Sequence, residues 1–123
     1  MNQHNPDESE KNVEHIINLI MEKKGEEILV IDLRGVTSIS DFFIIATGNS
    51  SVHVKAIAEE IYEKMKKVHN SVPWHMEGYE ARKWILLDYV DIVVHIFDHD
   101  TRSYYSLEKL WEDAHFRRIK TNY

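Results

Sequence analysis

Three short apolar runs constrain this chain most: "ILVIDL" at residues 28–33, "FFIIATG" at 42–48 and "IVVHIF" at 92–97. Runs this short, rich in β-branched residues and free of helical spacing, read as strands. The first two carry no polar alternation and read as central strands buried on both faces. A sheet covered on both sides must be layered with helices, so the chain has to supply those too. With 123 residues it has material for one domain and one core, and 43% hydrophobic against 29% charged residues is ordinary globular usage.

The helices are legible around the strands. Val13, Ile16, Ile17 and Ile20 recur at helical spacing behind Asp7, Glu8 and Glu10, and Lys23-Lys24-Gly25 stops them. Residues 1–12 are expected to fray ahead of that helix. After "TGN", Ser50 or Ser51 caps a second helix with Val54, Ile57, Ala58, Ile61, Met65 and Val68 on one face. "HNSVP" is a loop, "WHMEG" a short edge-like strand ended at Gly78, and "WILLD" and "IVVHIF" form a tight hairpin turning at Tyr89-Val90. Asp98, Asp100 and Thr101 turn and cap a last helical stretch carrying Leu107, Leu110, Trp111 and Ala114. The order predicts an α/β domain with a mixed sheet of about five strands, the 42–48 strand, its helix and a later strand forming a crossover unit.

Composition excludes several functions. There is no cysteine, so disulfides, thiol nucleophiles and cysteine-based metal sites are out. No apolar run reaches the roughly 20 residues that span a bilayer, and "MNQHNPDESEK" has neither a secretory nor a transit pattern, so a cytoplasmic protein with no membrane partner is expected. Net charge is −6, from 15 basic and 21 acidic side chains, which opposes general binding to DNA or RNA backbone and suits a basic protein partner.

The acids and imidazoles of "WILLDYVDIVVHIFDHDTRSYYSLEKLW" raise the question of chemistry. Asp88 and Asp91 ahead of a hairpin, with "TGNSS" before a helix, suggest magnesium-dependent nucleotidyl transfer. On a strand, however, positions i and i+3 point to opposite faces, and an Asp at a strand end is a common turn residue. "GNSS" lacks the lysine of a phosphate loop and reads as a helix cap. His95 and His99 share a strand face but stand about 13 Å apart, too far to share one ion. His95 interrupts an apolar run as a hydrogen-bonded structural histidine would, and His53 falls in the first turn of a helix. Ser38, Ser40, Ser50 and Ser51 have no nucleophile elbow around them. No cofactor or metal is expected. Trp74, Trp84, Tyr89, Tyr104, Tyr105 and Trp111 crowd the C-terminal half, and Trp and Tyr are the residues most enriched at interface hot spots. Tyr104 and Tyr105 are adjacent, so one of them should be outside.

The motifs "DLRGVTSISDFFIIATGNSSVHVKAIAEEI", "MEG", "WILLDYVDIVVHIF" and "TRSYYSLEKLWEDA", in this order over residues 13–114, resemble the iojap-like ribosomal silencing factors. The resemblance implies a single α/β domain of nucleotidyltransferase-like topology without catalysis, and a homodimer in isolation. It further implies binding to ribosomal protein L14 on the intersubunit face of the large ribosomal subunit, which sterically blocks the small subunit and represses translation when nutrients are scarce. By the same resemblance, Trp84, Asp88, His95, Arg102, Tyr105, Leu107 and Glu108 form the partner-binding face. Where the family usually carries Gly before Asp91, this chain has Val90, so its turn should differ in type or carry strain. Residues 115–123 lie beyond the motifs. Arg117, Arg118 and Lys120 could make a minor ribosomal RNA contact there, and a solvated tail is the plainer reading.

Overall fold

The structure, a computed structural model, describes residues 6–123. Helix α1 (Pro6–Glu22) leads into strands β1 (Glu26–Asp32) and β2 (Phe42–Gly48), then helix α2 (Ser51–His69). Strands β3 (His75–Glu77), β4 (Trp84–Asp88) and β5 (Ile92–Asp98) follow, then helix α3 (His99–Tyr105), a 3-10 turn at Leu107–Trp111, and strand β6 (His115–Arg118). They form one six-stranded sheet in the order β3-β4-β5-β2-β1-β6. Only β2 and β5 run parallel, with Phe42 opposite Ile92 and Gly48 opposite Asp98; every other pair is antiparallel. The two central strands are the crossover pair that the pattern predicts.

Strand alternation splits the core in two. Ile28, Val30, Phe42, Ile44, Ala46, Ile85, Leu87, Val94 and Ile96 meet the apolar faces of α1 and α2. Leu29, Ile31, Phe43, Ile45, Val93 and Phe97 point the other way, where Leu107, Trp111, Ala114 and Phe116 cover them in part. α2 starts where Ser50, in extended conformation, accepts a hydrogen bond from the His53 N–H, and it ends at Asn70 in the left-handed region. His53 also ties two turns together, its Nδ1 accepting from Asn49 N at 2.8 Å and its Nε2 lying 2.6 Å from the Lys23 carbonyl. Gly78 is obligatory: a Cβ there would fall 1.8 Å from the Trp84 carbonyl oxygen, and its φ is +84°. Among the described residues no helix is long and apolar enough to cross a membrane.

Four expectations change. The sheet has six strands, because β6 forms within the stretch read as a tail; "HFRR" holds a single apolar residue, and its pairing to β1 rests on backbone hydrogen bonds that composition does not encode. α1 begins at Pro6 rather than after residue 12, a proline being suited to a helical first turn, while residues 1–5 of the expected tail lie outside the described residues. The final helix is broken: Ser106 turns left-handed (φ 46°), its N–H donating to the Arg102 carbonyl and its hydroxyl to that of Ser103, so Leu107 restarts as a 3-10 turn. Val68 and Leu110 are exposed, since the last turn of α2 runs past the core and the 3-10 turn shows one side to solvent.

Candidate protein-docking face

The second sheet face gathers the residues that the resemblance assigns to partner binding. Trp84 stands opposite Phe97 on the neighbouring strand, their rings stacked at 4.8 Å, and its indole N–H donates to His95 Nδ1 at 3.1 Å. The Tyr105 ring lies 4.9 Å from Trp84, and Tyr104 meets Tyr105 edge-on at 5.0 Å. Deeper in, Phe43 contacts His95 at 4.7 Å and Trp111 edge-on at 5.8 Å. Seven rings therefore form one connected set, from the solvent-facing Tyr104, 82% exposed, to the sheet centre. Offset and edge-on pairs of this kind add to simple area burial.

Burial sorts the assigned residues into two roles. His95 is 3% exposed, and loss of hydration pushes its imidazole down to about 3, so it is neutral at any physiological pH. Since Nδ1 accepts from Trp84, Nε2 carries the proton, and that buried N–H has no acceptor among the described residues. Arg102 is also buried: its Nη1 donates to the Glu27 carbonyl (2.5 Å) and to the Thr47 hydroxyl (2.9 Å), and its Nε faces Glu108 at 3.5 Å. Burial lowers the guanidinium from its ordinary value, opposed by Glu108 and Glu27. His95 and Arg102 thus hold the face from within, His95 bonded to Trp84 and Arg102 to Glu27, Thr47 and Glu108. Trp84, Leu107 and Glu108 are half-buried, and Tyr105 is 51% exposed.

Asp88 sits apart from this row. Its Oδ1 accepts from Val90 N at 2.8 Å and its carbonyl accepts from Trp74 N, which makes it a hairpin residue. Asp91 N donates to the Tyr89 carbonyl at 3.0 Å, closing a three-residue turn on Val90 at φ +76°. That is the strained positive-φ γ-turn, and a β-branched residue is poorly suited to it. The Asp91 carbonyl accepts from Asp41 N, Phe42 N and the Ser40 hydroxyl, fastening the β1–β2 loop to the hairpin. Both acids serve the turn, and nothing in its geometry favours a magnesium pair.

Sequence reasoning missed several members. Phe43 and Phe97 were legible only as strand residues, although alternation from His95 places Phe97 on its face; Phe43 joins it through the register of β2 with β5. At least one of Tyr104 and Tyr105 was expected outside, and both are exposed, Tyr104 the more so. Of the basic cluster, Arg117 is ion-paired with Glu14 of α1, while Arg118 and Lys120 are exposed. Asp100 in α3 and Glu112 and Asp113 after the 3-10 turn are exposed acids, Lys109 is an exposed cation of that turn, and Leu110 is 70% exposed.

Comparison with known proteins agrees with this fold. Residues 6–122 match the profile of the family described as "Ribosomal silencing factor during starvation". The ribosomal silencing factor RsfS of Bacillus subtilis is 45% identical over 93 residues, 76% of this chain and 78% of that protein. A mouse protein named "Mitochondrial assembly of ribosomal large subunit protein 1" is 29% identical over 101 residues, 80% of this chain and 44% of that protein. A crystal structure of a Chromobacterium violaceum protein superposes with a TM-score of 0.80 at 31% identity, covering 93% of this chain and 90% of that one. With its profile match spanning all the elements from α1 to β6, the chain belongs to the RsfS family of ribosomal silencing factors.

Proposed function

We propose that this protein silences ribosomes by docking the Trp84–Tyr105 face on ribosomal protein L14 of the large subunit, blocking the small subunit by occupying its place. The observation that carries the reading is the open end of the aromatic row: Tyr104 and Tyr105 meet edge-on and are both exposed, and Leu110, Asp100, Glu112 and Asp113, near them in the chain, are exposed too. Grouped rings in a stretch rich in exposed acids fit a basic protein surface, the rings supplying desolvated anchors and the acids complementary charge. An ordinary interface buries about 800 Å² on each partner, enough to occupy a joint between subunits without any reaction. The name of the mouse relative, which refers to a large ribosomal subunit, points to the same half of the ribosome. In this reading the protein acts in the cytoplasm, without catalysis, as a homodimer when free, and Asp88 contributes by shaping the hairpin. Any contact of Arg118 and Lys120 with ribosomal RNA is secondary.

The test is sedimentation with isolated large subunits, followed by crosslink mapping. Tyr105→Ala should weaken binding by about 2 kcal/mol or more, the scale of an interface hot spot, while folding stability moves by no more than about 0.5 kcal/mol. Undiminished cosedimentation, or crosslinks confined to another ribosomal protein, would overturn the proposal.

A further inference from the structure

Far from the docking face, the two helices on the other side of the sheet bring two imidazoles together. His15 lies in the middle of α1 and His69 is the last residue of α2; His15 Nδ1 and His69 Nε2 are 2.8 Å apart, with ring centroids 4.9 Å apart and the rings edge to face at 67°. Two neutral imidazoles facing each other through nitrogen share one proton, one ring donating and the other accepting. The same convergence of two nitrogens is the start of a chelate.

We propose that His15 and His69 form a two-histidine site for a divalent transition ion of the zinc, copper or nickel class, which replaces the shared proton and ties α1 to α2. Metal–nitrogen bonds of 2.0–2.1 Å at a tetrahedral angle set the nitrogens about 3.3 Å apart, so the pair has to open by only about half an ångström. His69 is exposed and His15 half-buried, so solvent reaches the ion and fills its remaining positions. Imidazole pairs select this class of ion over magnesium or calcium, which take oxygen ligands.

Charges around the pair act in both directions: burial first, and then His69, lower the His15 imidazole from its ordinary value. His69 ends α2, where the unpaired carbonyls carry partial negative charge, and Glu22 acts on His15 as a favourable negative charge. Lys66 and Lys67 in the same last turn oppose it, but both are exposed and their charge is screened by water and salt. Other described histidines stand elsewhere: His53 between Asn49 and Lys23, His75 with Glu77, His95 buried under Trp84, His99 between Glu26 and Glu27, and His115 on β6 opposite Asp32. An ion at this pair would join ligands that are distant in the chain, so its binding would stabilise the folded state.

Copper(II) and zinc(II) chlorides titrated separately into the full chain provide the test. Electron paramagnetic resonance of the copper form should show two coordinated imidazole nitrogens, falling to one in His69→Gln with affinity reduced at least about tenfold. Zinc should raise the melting temperature of the parent protein and leave that of the doubly substituted H15Q/H69Q protein unmoved. Absence of two-nitrogen coupling in the parent would overturn the proposal, as would unchanged copper affinity in H15Q/H69Q. His69→Gln alone, at an exposed helix end, keeps the question decidable if the double substitution does not fold.

Discussion

The two faces of one sheet are built to different rules. Under α1 and α2 the core cluster is apolar, from Ile16 and Ile20 through Ile44, Ile57 and Ile61 to Ile96, with Ser9 of α1 a buried polar residue. Among the described residues the opposite face has α3 and a five-residue 3-10 turn to cover it, and it buries His95, Arg102 and Thr47 among its rings. Long amphipathic helices can seal a sheet by themselves, because each presents a continuous apolar stripe. A short, broken cover cannot, so this face completes itself with wide aromatic rings and hydrogen bonds, and it leaves part of its row in water. The first arrangement makes a fold; the second leaves surface whose burial a partner can still contribute.

The sharpest way to break this division is a cavity on the sealed face. Ile57→Ala removes a fully buried side chain and should cost about 2–5 kcal/mol of stability, measured by denaturant unfolding. Molecules that remain folded should bind large subunits as before, and a matching loss of binding would show that the faces are coupled. Tyr105→Ala is the complement, with about 2 kcal/mol lost from binding and little from folding.

A subtler separation uses pH. His95 titrates near 3 in the folded protein, whereas its ordinary value is 6.5, so between these the unfolded chain binds a proton that the folded one refuses. This contribution is complete above about 6.5 and is lost as pH falls, by up to about 1.4 kcal/mol per pH unit. His95→Gln should flatten the unfolding free energy over that interval relative to the parent protein, and an unchanged slope would mean that the imidazole is not held dry. The smallest effect is expected where neither face is involved. Val90→Gly relieves a β-branched residue at φ +76° and should raise stability by about 1 kcal/mol without touching binding.

Much of the sealed face is legible in the residues themselves. The strand limits 42–48, the Ser50 cap, the hairpin at Tyr89-Val90 and the strain at Val90 follow from β-branching, capping chemistry and turn preference, all local properties. The docking face is less legible, because its members come from β2, β4, β5, α3 and the 3-10 turn, and only pairing register brings Trp84 against Phe97 and Tyr105. Local sequence marks Arg102 as a surface cation in a polar segment; its burial depends on Thr47 and on the carbonyl of Glu27, a residue at φ +48° where β1 departs from regular pairing. β6 escapes for the same reason, since an edge strand is stabilised by its neighbour's backbone and needs little of its own pattern.

The parallel pairing of β2 with β5 also sets an order of assembly. Phe42 cannot meet Ile92 until α2, β3 and β4 have been made, so during synthesis the middle of the sheet stays open after its first strands have emerged. Closing so wide a gap late is entropically demanding and slow compared with a helical bundle. Until the second half of the chain leaves the exit tunnel, β2 presents an unpaired, largely apolar edge, and that nascent interval is when this protein is most exposed to aggregation.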